Sequence, residues 1–386
     1  MNSVRMLIST PYLNLKGGAE KVIKYIALKY NADILTCDYD PNKTFEEFKE
    51  LNVKEIGVKS IYKFIPYGRV SQAINYSLVF YNYKVKEDYD VINAHIAPSH
   101  WLIRNNKNLI WYCHTPLREI YDLYKYRMSL RPLYKKPVYA IGASITRYID
   151  KSMVRKIKYI ATNSSNTNSR IIKYYNRNDA TIINPGVIEL ERFYNAGDGR
   201  YILYPSRFSP NKRQELAIEI FKVFKERYDK DNRYKLILAG ALSNDKFYQD
   251  YYNRIVELAK SVGSIEIRTN PSDKELLDLY ANATAVLFVA MDEDFGIVPL
   301  EGMASRKPVL AINEGGPKDY IKNGVDGFLC STPEEFAEKL NLIINDSSLS
   351  ESIGKAAYNK IKESYTVDAF LNNFDRYIRS CISKGF

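Results

Sequence analysis

Short apolar runs alternate with amphipathic helical stretches along the whole chain, and this alternation limits the fold more than any other feature of the sequence. Residues 4–9 read as a strand, and residues 19–30 as a helix with Val22, Ile23, Ile26 and Tyr30 on one face. Residues 89–94 and 109–113 read as further strands followed by turn chemistry and helical patterns. After residue 185 the series begins again. Residues 201–205 form a strand pattern, and residues 214–228 a helix pattern with Leu216, Ile220, Val223, Phe224 and Tyr228 on its buried stripe. Residues 235–239, 265–267, 285–290 and 309–312 continue as strands with helices between them. Strands separated by helices predict parallel sheets with right-handed crossovers. Two such series predict an α/β protein of two doubly wound, Rossmann-like domains. The Pro/Gly break at Asn184-Pro185-Gly186-Val187 marks the boundary, giving domains at 1–185 and 186–366. A length of 386 residues suits two cores rather than one. Ligands of open parallel sheets bind beyond the carboxyl ends of the strands. Two such domains facing each other are expected to form a cleft there.

Charge is distributed unevenly over this frame. Residues 1–185 hold 29 Lys and Arg against 15 Asp and Glu, and the remainder 27 against 30. The whole basic excess lies in the first half. Much of it falls between residues 118 and 158, where 11 basic residues accompany 3 acidic ones. This asymmetry points to an anionic partner for one half; the plainer alternative is a solvated surface. The same segment is interleaved with Tyr121, Tyr124, Tyr126, Tyr134, Tyr139 and Tyr148, a mixture suited to a membrane surface carrying anionic lipid. It would also suit nucleic acid, but no nucleic-acid motif accompanies it, and nucleic acid is not expected as a partner. There is no run of about 18 apolar residues to predict a membrane-spanning helix. The opening Met1-Asn2-Ser3-Val4-Arg5 lacks the pattern of a signal peptide. Cys37, Cys113, Cys330 and Cys381 are scattered without paired spacing, so four separate reduced thiols are expected. The expectation is a cytoplasmic protein, peripheral on the cytoplasmic face of the membrane where the basic segment meets lipid. The 33 tyrosines are read mainly as packing.

The most informative stretch follows the predicted strand 285–290. It runs Met291-Asp292-Glu293-Asp294-Phe295-Gly296-Ile297-Val298-Pro299-Leu300-Glu301. Pro299 suits a first helical turn, where its missing N–H costs nothing. Glu293 is then expected in the loop and Glu301 in the first turn of the helix. Backbone N–H groups near Gly296, Ile297 and Val298 would leave the helix start as an anion site fit for a diphosphate. Glu301 can accept from two neighbouring sugar hydroxyls, such as those of a ribose, and Glu293 from those of a second sugar. Taken singly, each glutamate reads equally well as a solvated surface carboxylate. A second element, Ser206-Arg207-Phe208-Ser209-Pro210-Asn211-Lys212-Arg213, also follows a strand and precedes a helix. Arg207 and Lys212 at a strand's carboxyl end can bind a diphosphate and stabilise it as a leaving group. A third, Glu314-Gly315-Gly316-Pro317-Lys318-Asp319, is a tight turn after a strand.

Together these elements resemble the retaining glycosyltransferases of the GT-B fold that carry an E-x7-E motif, the family-4-like group. Glu293 to Glu301 matches that motif in full, Ser206–Arg213 is similar to the group's phosphate-binding segment, and Gly315-Gly316-Pro317 to its Gly-Gly-Pro turn. The group more often has Glu where Asp319 stands. The resemblance implies that Arg207 and Lys212 bind the donor diphosphate, Glu293 the transferred sugar and Glu301 the ribose. The backbone of Phe295, Gly296, Ile297 and Val298 would contact phosphates and sugar. It implies no cofactor and no metal, with a nucleotide-sugar as substrate, and same-face attack with the departing phosphate as base. It also implies that a last helix, about 367–386, returns to the first domain.

Two elements of the first half gain meaning from the same resemblance. Lys16-Gly17-Gly18-Ala19-Glu20 follows the first strand and opens a helix. Gly17 and Gly18 allow close backbone approach to an anion and resemble the group's first glycine-rich loop. Cys113-His114-Thr115-Pro116-Leu117-Arg118 resembles the signature of mannosyltransferase-like members. This implies that His114 contacts the transferred sugar and joins Glu293 as the catalytic pair, with Arg118 near an acceptor or phosphate. His95 stands open between acceptor site and structure, and His100 is read as structural.

The function expected is hexose transfer, with GDP-mannose as donor and a glycan or lipid-linked acceptor. A UDP-hexose donor remains open, because no identified residue reads the base. A nucleotide-sugar epimerase is the reading from a different class; it leaves the basic aromatic segment unexplained. A non-catalytic sugar-binding protein would have little use for Glu293, Glu301, Arg207 and Lys212 together.

Overall fold

All strand pairings among the named strands are parallel, and the strands fall into two separate sheets. The structure, a computed structural model, describes residues 4–57, 69–129 and 131–386. Met1, Asn2 and Ser3 of the opening therefore lie outside the described residues. The chain divides into two compact units, Met1–Pro185 with Phe370–Phe386, and Gly186–Ala369.

The first unit runs β1 (Met6–Ser9), α1 (Gly18–Tyr30), β2 (Asp33–Thr36), β3 (Val53–Glu55), α2 (Arg69–Asn82), β4 (Val91–Ala94), β5 (Leu109–Cys113), α3 (Tyr124–Ser129), α4 (Lys136–Lys156), β6 (Tyr159–Thr162), α5 (Ser165–Tyr175) and β7 (Thr181–Ile182). Its sheet has the order β3-β2-β1-β4-β5-β6-β7. The central strands, such as β5 with Leu109-Ile110-Trp111-Tyr112-Cys113, are buried at every position. Uninterrupted burial is what a parallel strand covered on both faces requires.

The second unit runs β8 (Tyr201–Pro205), α6 (Gln214–Tyr228), β9 (Lys235–Gly240), α7 (Lys246–Val262), β10 (Ile265–Thr269), α8 (Asp273–Asn282), β11 (Ala285–Phe288), α9 (Ile297–Ala304), β12 (Val309–Ile312), β13 (Phe328–Cys330), α10 (Pro333–Asn345) and α11 (Ser347–Ser364). The last helix, α12 (Val367–Lys384), contains the division between the units. This sheet has the order β10-β9-β8-β11-β12-β13. Alternate residues build two cores, one on each face. Tyr204, Leu238, Leu287 and Leu310 enter one, and Leu203, Ile237, Val286 and Val309 the other. In both sheets the chain order reverses at the centre, between β1 and β4 and between β8 and β11. Such a reversal leaves a crevice at the carboxyl ends of the two strands.

Three local expectations shift. The strand expected at 285–290 ends at Phe288; Val289 and Ala290 stay buried, but the ladder to β12 stops at Phe288. The core face of α6 is centred on Ala217, Ile218, Ile220, Phe221 and Phe224, with Leu216, Val223 and Tyr228 at its margin. That face is wide because sheet and α10 cover it from two directions. Glu301 stands in the second turn of α9, not the first. Gly296 caps the helix at φ +84°, so helical geometry starts at Ile297 and Pro299 is the third residue. All four cysteines are buried and unbridged.

Candidate nucleotide-sugar site

In the second unit the loops after β8, β11 and β12, three adjacent strands, are tied together. The Met291 N–H donates to the Asn211 carbonyl at 2.9 Å, and the Gly316 N–H to the Glu293 carbonyl at 2.9 Å. Glu314 accepts from the Arg213 guanidinium at 3.0 and 3.2 Å, and from the Asp292 N–H at 3.3 Å. Gly315, at φ +65°, and Gly316 lie so close to the 292–295 loop that a Cβ on either would overlap its backbone. Two consecutive glycines are therefore a packing requirement here. Tyr320 closes the arrangement by donating to the Gly296 carbonyl at 2.7 Å.

This frame sets the predicted residues as follows. Lys212 forms an ion pair with Glu293. Both belong to loops at the switch point between β8 and β11, so the sequence's cation and its first carboxylate are brought together. Arg207 is exposed on the same loop as Lys212, and its carbonyl accepts from Gln214 at 2.8 Å. Glu301 accepts from the Tyr280 hydroxyl at 2.7 Å. Burial and the neighbouring carboxylate hold the Tyr280 hydroxyl well above its ordinary range, so it remains a donor. The Phe295 ring is buried against Tyr320, with ring centroids 5.3 Å apart. Its side chain serves the core, and its backbone continues into Gly296, Ile297 and Val298 at the start of α9. The amides of Ile297 and Val298 are two of the N–H groups a helix start leaves without intrahelical partners.

The sequence reading overlooked Arg213, Glu314, Tyr280 and Tyr320 as parts of this frame. Arg213 and Glu314 sit inside motifs already singled out, directly beside Lys212 and Gly315. Tyr280 carries no such signal, since it is one of the chain's 33 tyrosines and stands in the last turn of α8 without a motif around it.

In the first unit, His95 directly follows β4 and His114 directly follows β5. The rings are hydrogen-bonded, His95 Nδ1 to His114 Nε2 at 2.9 Å, and Asn93 Nδ2 lies 2.8 Å from His95 Nε2. Burial lowers both histidines, that of His114 to about 3. Two neutral rings sharing one hydrogen bond fix each other's orientation, and one donates to the other. Arg118 is ion-paired with Asp122 at 2.8 Å. His100 is fully buried and bonded to Asp150 at 2.9 Å, which also accepts from Trp101 at 2.9 Å, in agreement with a structural role. Gly17 is the cap residue of α1, and Gly18 its first residue. The Glu20 carboxylate occupies the space a Cβ on Gly17 would need. Glu20 is itself buried, so a carboxylate already stands at this helix start.

Among the described residues no group of three or more His, Cys, Asp or Glu is placed to hold a metal ion. No described helix is long and apolar enough to cross a membrane.

Known proteins share both halves of this arrangement. Residues 16–189 match the family described as Glycosyltransferase Family 4, and residues 188–360 that described as Glycosyl transferases group 1. The human Alpha-1,3/1,6-mannosyltransferase ALG2 (Homo sapiens) is 28% identical, over 94% of this chain and 92% of its own length. Among solved structures, Anabaena Alr3699/HepE in complex with UDP-glucose superposes with a TM-score of 0.75 at 17% identity, covering 98% of this chain and 100% of that one. The sucrose-phosphate synthase of Thermosynechococcus elongatus superposes at 0.77 with 16% identity, covering 99% and 100%. With two doubly wound sheets, an E-x7-E stretch at the switch point of the second, and both halves matched, the chain belongs to the GT-B glycosyltransferases of the family-4 kind and is a sugar-transferring enzyme.

Proposed function

We propose that this enzyme transfers mannose from GDP-mannose, with retention of anomeric configuration, to a glycan or lipid-linked acceptor at the cytoplasmic face of a membrane. The observation that carries it is the interlocked set of loops at the carboxyl ends of β8, β11 and β12, which pairs Lys212 with Glu293 beside the start of α9. The mannosyl group follows the relatives that match over most of the chain. The guanosine nucleotide follows the resemblance to mannosyltransferase-like members. The neighbour bound to UDP-glucose is 17% identical and shares the fold alone.

In this reading Lys212 turns from Glu293 to the donor diphosphate, joined by Arg207 and the amides of Ile297 and Val298. The lysine exchanges one anion for another, so its charge is never left unpaired. Glu293, released, accepts from hydroxyls of the mannose, and Glu301 from those of the ribose while Tyr280 orients it. His114, held by His95, offers a ring nitrogen to the sugar. The acceptor oxygen attacks C1 on the face the diphosphate leaves. The C1–O bond to phosphate breaks, the departing phosphate oxygen takes the acceptor's proton, and GDP is released. We assign charge neutralisation to Arg207 and Lys212 rather than to a metal ion. Gly17 and Gly18 border the phosphate only if Glu20 gives way. Arg118 reaches an acceptor only by leaving Asp122.

Titration of the protein with GDP-mannose, UDP-glucose and UDP-N-acetylglucosamine, with slow donor hydrolysis as second readout, tests the donor. GDP-mannose should bind tightest and be the one hydrolysed. Selective turnover of UDP-glucose overturns the donor, and binding of none overturns the site. Glu293→Ala should abolish transfer and spare GDP binding; unchanged transfer removes the role of Glu293.

A further inference from the structure

The basic segment of the first unit carries a feature that its charge alone does not reveal. Leu133, Tyr134, Val138, Ile141, Ile145 and Tyr148 are each between 56 and 80% exposed. Tyr134, Val138, Ile141, Ile145 and Tyr148 recur at spacings of four, three, four and three, so in and just before α4 they share one face. The opposite face of α4 is buried through Ala143, Asp150, Met153 and Val154. The helix is thus apolar on two sides, one packed on the protein and one facing outward. From Val138 to Tyr148 the outward stripe extends about 15 Å at 1.5 Å per residue. Large apolar side chains so aligned and so exposed mark an interaction surface.

The charges around the stripe indicate what covers it. Lys135, Lys151 and Arg155 border it, and the sole carboxylate of α4 is Asp150, buried against His100 and Trp101. The two other acids of the segment are engaged, Glu119 with Arg127 at 3.2 Å and Asp122 with Arg118 at 2.8 Å. A second copy of this face would bring lysines against lysines. An anionic bilayer surface meets both needs, taking the aliphatic side chains below its head groups and the cations among them. Tyrosines stand at both ends of the stripe, where an amphipathic ring suits the water–lipid boundary.

We infer that the outward stripe from Leu133 to Tyr148, in and just before α4, docks the first unit on a membrane carrying anionic lipid. This deepens the lipid-linked acceptor reading and rests on it for its purpose, since a docked first unit meets an acceptor held in the membrane. The docking itself is measured without any sugar donor, so it and the transfer reading fail separately.

The full chain is floated with vesicles of phosphatidylcholine, or of phosphatidylcholine with about a third phosphatidylglycerol. Two variants accompany it, Val138→Ser/Ile141→Ser/Ile145→Ser and Lys135→Gln/Lys151→Gln/Arg155→Gln. All replaced residues border solvent, so circular dichroism and GDP binding should match the parent and show that each variant is folded. The parent should float with the anionic vesicles, and salt at about 0.5 M should weaken this. Each variant should lose at least about tenfold in partition, the serine variant through apolar contact and the glutamine variant through charge. Parent protein that stays with the lipid-free fraction overturns the proposal. So does a serine variant that floats as the parent does. Concentration-dependent self-association in lipid-free buffer, abolished by the serine substitutions, would reassign the face to a second copy and also overturn it.

Discussion

His95 and His114 are held neutral by burial, and their hydrogen bond needs at least one neutral ring, since a doubly protonated pair has no lone pair to accept with. Both folded-state values lie below the unfolded value near 6.5. The unfolded chain therefore takes up protons below about pH 6.5 that the native pair refuses, and stability falls as pH falls. The window opens at about 6.5 and, for His114, runs down to about 3. At pH 5 each histidine should cost up to about 2 kcal/mol. Urea unfolding at pH 7.5 and 5.0 checks this: the parent should lose more stability on acidification than the His95→Gln/His114→Gln variant. Equal losses would assign the pH dependence elsewhere. At Glu301, the Tyr280 hydroxyl holds one carboxylate oxygen at 2.7 Å. Tyr280→Phe should remove about 1 kcal/mol of positioning and raise the donor KM roughly fivefold with kcat nearly unchanged. A fall in kcat alone would move Tyr280 from ribose binding to the chemical step.

At the scale of elements, the loops rather than the strands determine whether the site exists. Gly316 donates to the Glu293 carbonyl, and a Cβ there would overlap the Phe295 backbone. Gly316→Ala must push the 292–295 loop away from the Gly-Gly turn, at a cost of about 1–3 kcal/mol. Donor affinity should fall at least about tenfold, while the β8 and β11 ladders keep their amide-exchange protection. Unaltered affinity would mean that Glu293 does not depend on this packing. The strands carrying these loops were legible from the sequence because β8, β11 and β12 are wholly buried and read as continuous apolar runs. Strands β3 and β7 were not: Val53-Lys54-Glu55 and Thr181-Ile182 are short edge strands with little to bury. The motif residues were legible for a related reason, since glycines and a helix-starting proline leave marks in sequence. The ties that hold them, Tyr280 to Glu301 and Arg213 to Glu314, join residues 21 and 101 positions apart and leave none.

At the scale of the whole molecule, the two units are built on one plan, with chain order reversing beside the first strand of each sheet, yet their surfaces differ. The basic excess of the first half could be counted from sequence, but the apolar stripe within it could not. The fold supplies it: α4 packs through Ala143, Asp150, Met153 and Val154 and leaves Val138, Ile141 and Ile145 facing outward. The last helix presents the converse case, an amphipathic pattern that is fully used. Phe370, Phe374, Ile378 and Cys381 are buried. The rings of Phe370 and Phe374 stand 6.2 and 6.0 Å from that of Tyr112 in β5. Tyr30 at the end of α1 donates to Asp375 at 2.8 Å. Residues 370–386 therefore complete the first unit's core although nearly two hundred positions of the second unit intervene. Phe374→Ala leaves a cavity against Tyr112 and Tyr30 and should cost about 3–5 kcal/mol. Amide exchange distinguishes where that cost falls. Protection in β5 and α1 should drop by the corresponding factor, because their partner is gone. Protection in β8 and β11 should change less, because that core contains none of these contacts. Unchanged exchange in β5 would show that the first sheet stands without its returning helix.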